Sequence, residues 1–512
     1  LNASAGRIAV DVDVYNAALY FLMPRVSARS LKSVMSWVLW YDYFSIPQPA
    51  APGTDPALEA EYSAQLSLAV QSLPHYVAAC DMFFVLAPNV RHEDGHLVDY
   101  ASWKSRGWCR LERAARMLSQ THSSSILQVD RADTIFEVGA HEYLVEPVGI
   151  GEFSDEKDRH TLPSIVEEML SRKLESLYRL ENFHEYRQLL AWCPKLLVGL
   201  DVGGPAMLPR QFEHLVTQDA RGSAIHRTNS DIVVRFMLLM QLQGDLTRLC
   251  RRPLPLLVAS SLGDGRLMAA LLEMQAQVAC KRSRSDAAFF YTSGQQPIHV
   301  AAQRGHLAAV DLLLGHCGMV DAIDSLGQTP LFYAAASGGC SVLDLLLHRR
   351  ASIDRRCNVG AQPCAVENAV IFGRSAEVAM LLRRGAATAK SKDGTNALHF
   401  AAVFKAGAEV LRSLIAARVG LEDRCRPQLG GSLMLLTMFM SLPGFCGRRS
   451  WSVMAARYFA GCTPLGLAVM TRALTEIEVM IDAGADMNMP QGRGLEIKSL
   501  ADLFECPLGR LV

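Results

Sequence analysis

Few residue clusters in this chain have the types and spacing that chemistry requires. Arg91-His92-Glu93-Asp94-Gly95-His96 places two imidazoles and two carboxylates within one short run, and these are ligand types that suit zinc. The run lies in a stretch, Pro88–Gly95, whose composition is that of a loop, and no further ligand set stands near it. It therefore reads as a solvated turn, and no metal site is expected. Glu112 stands near the start of a helical stretch with Arg110, Arg113 and Arg116 in helical reach, so its elementary reading is a surface ion pair. His299 and His399 occupy matching places in two turns and are expected to bond within those turns as structural groups. The chain has no GxGxxG after a strand, no phosphate-binding P-loop, no GxSxG elbow and no HExxH.

The C-terminal half is organised by a repeat. Gln296-Pro297-Ile298-His299-Val300-Ala301-Ala302 is answered by Thr329-Pro330-Leu331-Phe332-Tyr333-Ala334-Ala335, with the prolines 33 residues apart and Pro363 another 33 further on. Gly338 answers Gly305 at the same interval, and Leu343, Leu346 and Leu347 answer Val310, Leu313 and Leu314. Gly327 and Gly360 share the position in the connecting loop. Looser copies start at Pro255, Pro363, Thr395 and Thr463, which makes six units, with about 35 irregular residues, Arg426–Ala460, between the last two. Within that insert Leu433–Met440 is apolar enough to be a buried or degenerate helix. A 33-residue period with a T-P-L-H-x-A core resembles the ankyrin repeat. The resemblance covers roughly residues 250–495 and implies an all-α solenoid of turn, helix, helix and projecting finger. It also implies a protein partner on the concave face formed by fingertips and inner helices. The fingertip candidates are Asp321, Asp324, Asp354, Arg355, Lys390, Lys392 and Asp393; each alone also reads as a solvated turn residue.

Residues 1–150 mix short apolar and aromatic runs with helical patterns. Val34–Phe44, Asp81–Ala87, Ser124–Val129 and Tyr143–Val148 read as strands, while Glu61–Ala79 and Cys109–Leu118 read as helices. That alternation predicts a parallel sheet flanked by helices. Pro47–Asp55 reads as a loop. The run Ser105-Arg106-Gly107-Trp108-Cys109-Arg110-Leu111-Glu112, placed after a strand and loop, resembles the S-x-W-C-x-x-E-L motif of Toll/interleukin-receptor (TIR) domains, which are flavodoxin-like α/β folds. In enzymatic members the motif's glutamate assists cleavage of the nicotinamide–ribose bond of NAD, and the matching position is Glu112. A fixed carboxylate suits that reaction because oxocarbenium charge develops on the ribose. Gly107 is an insertion relative to the motif, and Arg113 stands where leucine is usual.

The totals bound the rest. A chain of 512 residues, 50% hydrophobic and 20% charged, should form two or three units. Lys plus Arg and Asp plus Glu balance at 51 each, which removes the basic footprint of a nucleic-acid or anionic-membrane binder. Thirteen cysteines without a CxxC pair read as reduced thiols in a cytosolic or nuclear protein, with the cytoplasm the expected location. Nothing reaches the roughly 18 apolar residues of a membrane span, Ser432–Phe445 coming nearest. The chain begins at Leu1, so a preceding segment with a targeting signal is allowed for. The expected organisation is multi-domain: a TIR-like α/β unit over 1–150, a helical linker over 160–250 that breaks at Gly203–Pro209 and has Ser164 and Glu167 as a capping box, ankyrin repeats over 251–495, and a tail over 496–512. The expected function is protein binding by the array, without a cofactor. The alternatives are an NAD-cleaving enzyme governed by the array, with NAD as substrate, and a non-catalytic TIR-like scaffold that self-associates.

Overall fold

The computed structural model describes residues 9–12, 56–95, 97–119, 126–131, 134–138, 140–153, 156, 158–201, 229–285, 291–316, 318–358, 361–387, 390–427 and 451–508. The expected strand Val34–Phe44, the loop Pro47–Asp55, His96, the break Gly203–Pro209, Gly360 and the apolar stretch Leu433–Met440 lie outside the described residues.

The N-terminal part carries β1 (Ala9–Val12), α1 (Pro56–Ala79), β2 (Phe83–Leu86), β3 (Val90–Arg91), β4 (Leu97–Val98), α2 (Tyr100–Ser105) and α3 (Gly107–Met117). After these come β5 (Ile126–Arg131), β6 (Thr134–Val138) and α4 (Ala140–Val145). The main sheet has the order β1-β6-β5-β2. Its outer pairs are parallel, but β5 and β6 are antiparallel, with Arg131 opposite Thr134. The sheet is therefore mixed, where an all-parallel one was expected. The reason is length: only Ala132 and Asp133 separate β5 from β6, whereas a parallel pair needs a crossover of about a dozen residues. The expected strand Tyr143–Val148 is instead the end of α4 followed by a 3₁₀ turn, Val148–Ile150. Tyr143, Leu144 and Val145 are all buried, and an apolar run without alternation does not separate a core strand from a core helix.

Local chemistry fixes α2 and α3. Asp99 accepts from the Ser102 amide at 2.9 Å while Ser102 Oγ accepts from the Asp99 amide at 2.9 Å, a complete capping box. Gly107, the extra residue in the motif, has a packing reason. Its amide donates to the Glu152 carbonyl at 2.8 Å, and a Cβ there would lie 1.8 Å from the Phe153 ring.

Helices then take over, with α5 (Asp158–Arg179), α6 (Phe183–Leu196), α7 (Asn229–Leu239) and α8 (Leu246–Cys250). Ser164 does not cap; it lies inside α5 with Pro163, and its hydroxyl donates to the Thr161 carbonyl at 3.3 Å.

Six helix pairs follow among the described residues. They are α9 (Pro253–Leu262) with α10 (Gly265–Glu273), α11 (Pro297–Arg304) with α12 (Leu307–Gly315), and α13 (Pro330–Ser337) with α14 (Cys340–His348). The next are α15 (Ala365–Ile371) with α16 (Ser375–Arg383) and α17 (Ala397–Phe404) with α18 (Ala408–Ala416). After α19 (Trp451–Tyr458) comes the last pair, α20 (Pro464–Thr471) with α21 (Leu474–Asp482). Thr329 and Thr463 cap their inner helices by accepting from the amides of Phe332 and Gly466, at 3.2 and 3.3 Å, with proline next in sequence. Gly305 and Gly338 close theirs at φ +79° and +78°. Helix α17 packs directly on α20 and α18 on α21, so the stack continues across the insert. The expected tail begins with α22 (Ile497–Leu503), which packs on α20 and caps the array's end. One apolar core runs through the whole assembly, from Leu73 and Leu111 through Trp192 to Leu331, Leu465 and Leu500.

Candidate functional site

Two rows of loops border the helix pairs. The fingers join each outer helix to the next inner helix; short turns join inner to outer helix at the opposite end. The seven fingertip residues divide between structure and surface. Asp324 is buried, and its carboxylate accepts from the amides of Leu326 (2.9 Å) and Gln328 (2.8 Å) and from the hydroxyls of Thr292 and Tyr333 (2.7 Å each). It is a turn-building group, and the expectation that it meets a partner gives way to that geometry. Asp393 is likewise buried, and its carbonyl accepts from the Arg426 amide at 2.6 Å. Asp321 and Asp354 accept from the amides of Ser352 (2.9 Å) and Ala387 (2.7 Å), stitching each finger to the next. Lys390 pairs with Asp423 at 3.0 Å. Asp354, Arg355, Lys390 and Lys392 are the exposed members of the set.

His299 holds its finger in the same way. Its Nδ1 accepts from the Gln296 amide at 3.0 Å and its Nε2–H faces the Ala322 carbonyl at 3.0 Å. That neutral tautomer agrees with a pKa lowered by burial. His399 repeats the first bond, with Nδ1 3.1 Å from the Asn396 amide, and burial pushes its pKa down to about 4. His92 and Asp94 face each other at 3.1 Å in an exposed turn.

Two of the inner helices are closed. Every residue of α11 and of α13 is buried, so these helices offer a concave-face partner no exposed side chain. The N-terminal part lies along the row of turns. Trp192 of α6 stacks under the Arg304 guanidinium, 2.8 Å from the ring centre, and Ser261 Oγ donates to the Ala191 carbonyl at 2.9 Å. Lys195 donates to the Ser337 carbonyl at 3.0 Å, a cation at a helix C-terminus. Burial, aided by Arg374 and Arg304 and opposed by Glu377, pushes Lys195 down to about 8. Arg374 donates to the carbonyls of Ala336 (3.2 Å) and Val145 (3.1 Å). At the far end Arg472 pairs with Asp130 at 3.2 Å, Asn89 donates to the Arg472 carbonyl at 3.0 Å, and Arg91 pairs with Glu478. Sequence reasoning missed these contacts. One signal was available: Arg472, at φ +55°, holds the left-handed position that Gly305 and Gly338 fill elsewhere, a costly place for a side chain with no other task.

Glu112 sits half-buried on α3 between buried Leu111 and Arg113. The arginines within helical reach of it also bond to other elements. Arg110 donates to the carbonyls of Lys104 (2.9 Å) and Pro147 (3.1 Å), and Arg116 to that of Asp81 (2.8 Å). Arg113, itself buried, reaches Glu146 at 3.0 Å. Burial works against ionising Glu146, but Lys104, Arg113 and Arg110 together hold its pKa down to about 2.

A family model described as ankyrin repeats, in three copies, matches residues 256–357. The C-terminal region of this chain is built of ankyrin repeats. The chain is similar to the solved human ASB11 ankyrin repeat domain, at 18% identity and TM-score 0.35, covering 50% of this chain and 97% of that one. No curated protein matches the chain. Among the described residues no helix is long and apolar enough to cross a membrane.

Proposed function

We propose that the chain holds a protein partner along the finger edge of its ankyrin array. What supports this reading is the division of the array's surfaces. The N-terminal part takes the row of turns through Lys195, Arg374 and Arg472, and the inner helices α11 and α13 bury every residue. The fingers and the outer helices remain, and the fingers expose Asp354, Arg355, Lys390 and Lys392. The free thiols found at Cys80, Cys109 and Cys340 among others suit a reducing, cytoplasmic setting. The test replaces Arg355 and Lys392 together with glutamate. Partner recovery by the full chain should fall at unchanged thermal stability, and undiminished recovery would refute the finger edge.

A second reading concerns the N-terminal part as a TIR-like unit, either cleaving NAD through Glu112 or self-associating without turnover. What favours keeping it is the half-exposed position of Glu112 on a helix that follows β2 and the β3–β4 hairpin. Nicotinamide release from NAD by the full chain, absent in Glu112→Gln, would support the enzyme. Concentration-dependent mass without release would support the scaffold, and neither signal would leave protein binding alone.

A further inference from the structure

Outer helices α12, α14, α16 and α18, each taken with the two residues that follow it, carry six exposed arginines, none of them on α12: Arg383 and Arg412 lie in the helices, and Arg349, Arg350, Arg384 and Arg418 just past their ends. The same helices expose or half-expose only Asp311, Asp344 and Glu409 as carboxylates. Two of the arginines are spent in a ladder between repeats: Arg349 pairs with Asp311 at 2.6 Å, and Arg384 with Asp344. The ladder then stops, because the position that carries Asp311 and Asp344 is Ala379 on α16 and Arg412 on α18. Arg350, Arg383, Arg412 and Arg418 make no side-chain hydrogen bond or ion pair among the described residues. A chain of net charge +0 thus concentrates unmatched guanidinium groups on one side of its array.

We propose that this band, which starts where the fingers leave the outer helices, is a second docking surface, separate from the fingertips, for an extended acidic segment of a partner protein. Neighbouring helices pack about 10 Å apart, and an extended chain advances about 3.3 Å per residue. Carboxylates at every third residue of the partner therefore fall in step with successive repeats. Guanidinium is suited to the task because its planar fork binds a carboxylate through two parallel hydrogen bonds. Asp311, Asp344 and Glu409, interleaved among the arginines, disfavour a continuous polyphosphate. A peptide can place acid only where an arginine waits.

The experiment uses the full chain at low salt with a fluorescent peptide of about six Glu-Gly-Ser triplets. Its comparators are a peptide of the same composition with the glutamates in one block, and a single-stranded DNA of equal charge. The spaced peptide should bind about fivefold or more tighter than the block peptide. Changing Arg350, Arg383, Arg412 and Arg418 to Glu should weaken it by about tenfold or more. Arg179, Arg252, Arg266 and Arg284 changed to Glu, the same charge elsewhere, should leave it unaltered. Arg383→Ala with Arg412→Ala, both at exposed helical positions, should give an intermediate loss if the fourfold variant does not fold. No binding of the spaced peptide, equal binding of the block peptide, tighter binding of DNA, or an equal loss in the charge control would overturn the proposal. The finger-edge variant Arg355→Glu/Lys392→Glu should bind the peptide as the parent does, which separates the fate of this surface from that of the finger edge.

Discussion

Replacing Asp324 by alanine should injure the fold and not a binding surface. Its carboxylate takes two backbone amides and two hydroxyls at 2.7–2.9 Å in a buried site. A hydrogen bond to a charged group contributes about 1.5–3 kcal/mol net, and each buried donor left unmatched costs about 1–3 kcal/mol. Thr292 and Tyr333 bond to each other as well, so the two hydroxyls keep a partner; the amides of Leu326 and Gln328 do not. The loss should be about 3–4 kcal/mol, a large part of the ~5–15 kcal/mol that holds a domain together. Asp324→Asn keeps an acceptor for both amides and should lose about half as much. Urea unfolding followed by circular dichroism measures both, and hydrogen exchange should locate the opening at residues 291–296 and 324–330. A loss below about 1 kcal/mol in the alanine variant would refute this reasoning and return Asp324 to the candidate surface.

Three other outcomes follow from the same structure. His399, held down to about 4 from an ordinary 6.5, binds less proton folded than unfolded. Its contribution of ~3 kcal/mol is therefore complete above pH 6.5 and lost as pH falls toward 4; an acid titration of stability in which His399→Gln removes that slope tests it. Arg472→Gly should relieve left-handed strain of about 1 kcal/mol while cutting the pair with Asp130, so hydrogen exchange should rise in β5 while α20 stays protected. Gly107→Ala should cost about 1–3 kcal/mol by driving a methyl into Phe153, read as a lower thermal midpoint of the N-terminal part.

The array was legible because its signals are local. Thr329 with Pro330 and Gly338 each fix a helix end within one turn of chain, and the pattern returns every 33 residues. The N-terminal part was less legible where partners are distant. Nothing in Tyr143-Leu144-Val145 says that α4 will be covered on all sides, and only the shortness of the β5–β6 link hinted at an antiparallel pair. The fingertip set was chosen by charge and loop position, which cannot tell exposed Arg355 from buried Asp324. That difference is made by Thr292 and Tyr333, 32 and 9 residues away. Burial of the inner helices belongs to the same class of fact, since it depends on the array's packing with residues far away in the chain.

The central claim is that the fingers, and not the inner helices or the row of turns, meet the partner. A photo-crosslinking amino acid placed in the full chain at Arg355 or Lys392, and for comparison at Ala376 in the row of turns beside Arg374, tests it in cells. The account predicts one shared adduct at the two finger positions and its absence at Ala376. Adducts from Ala376 with none from the fingers would contradict it.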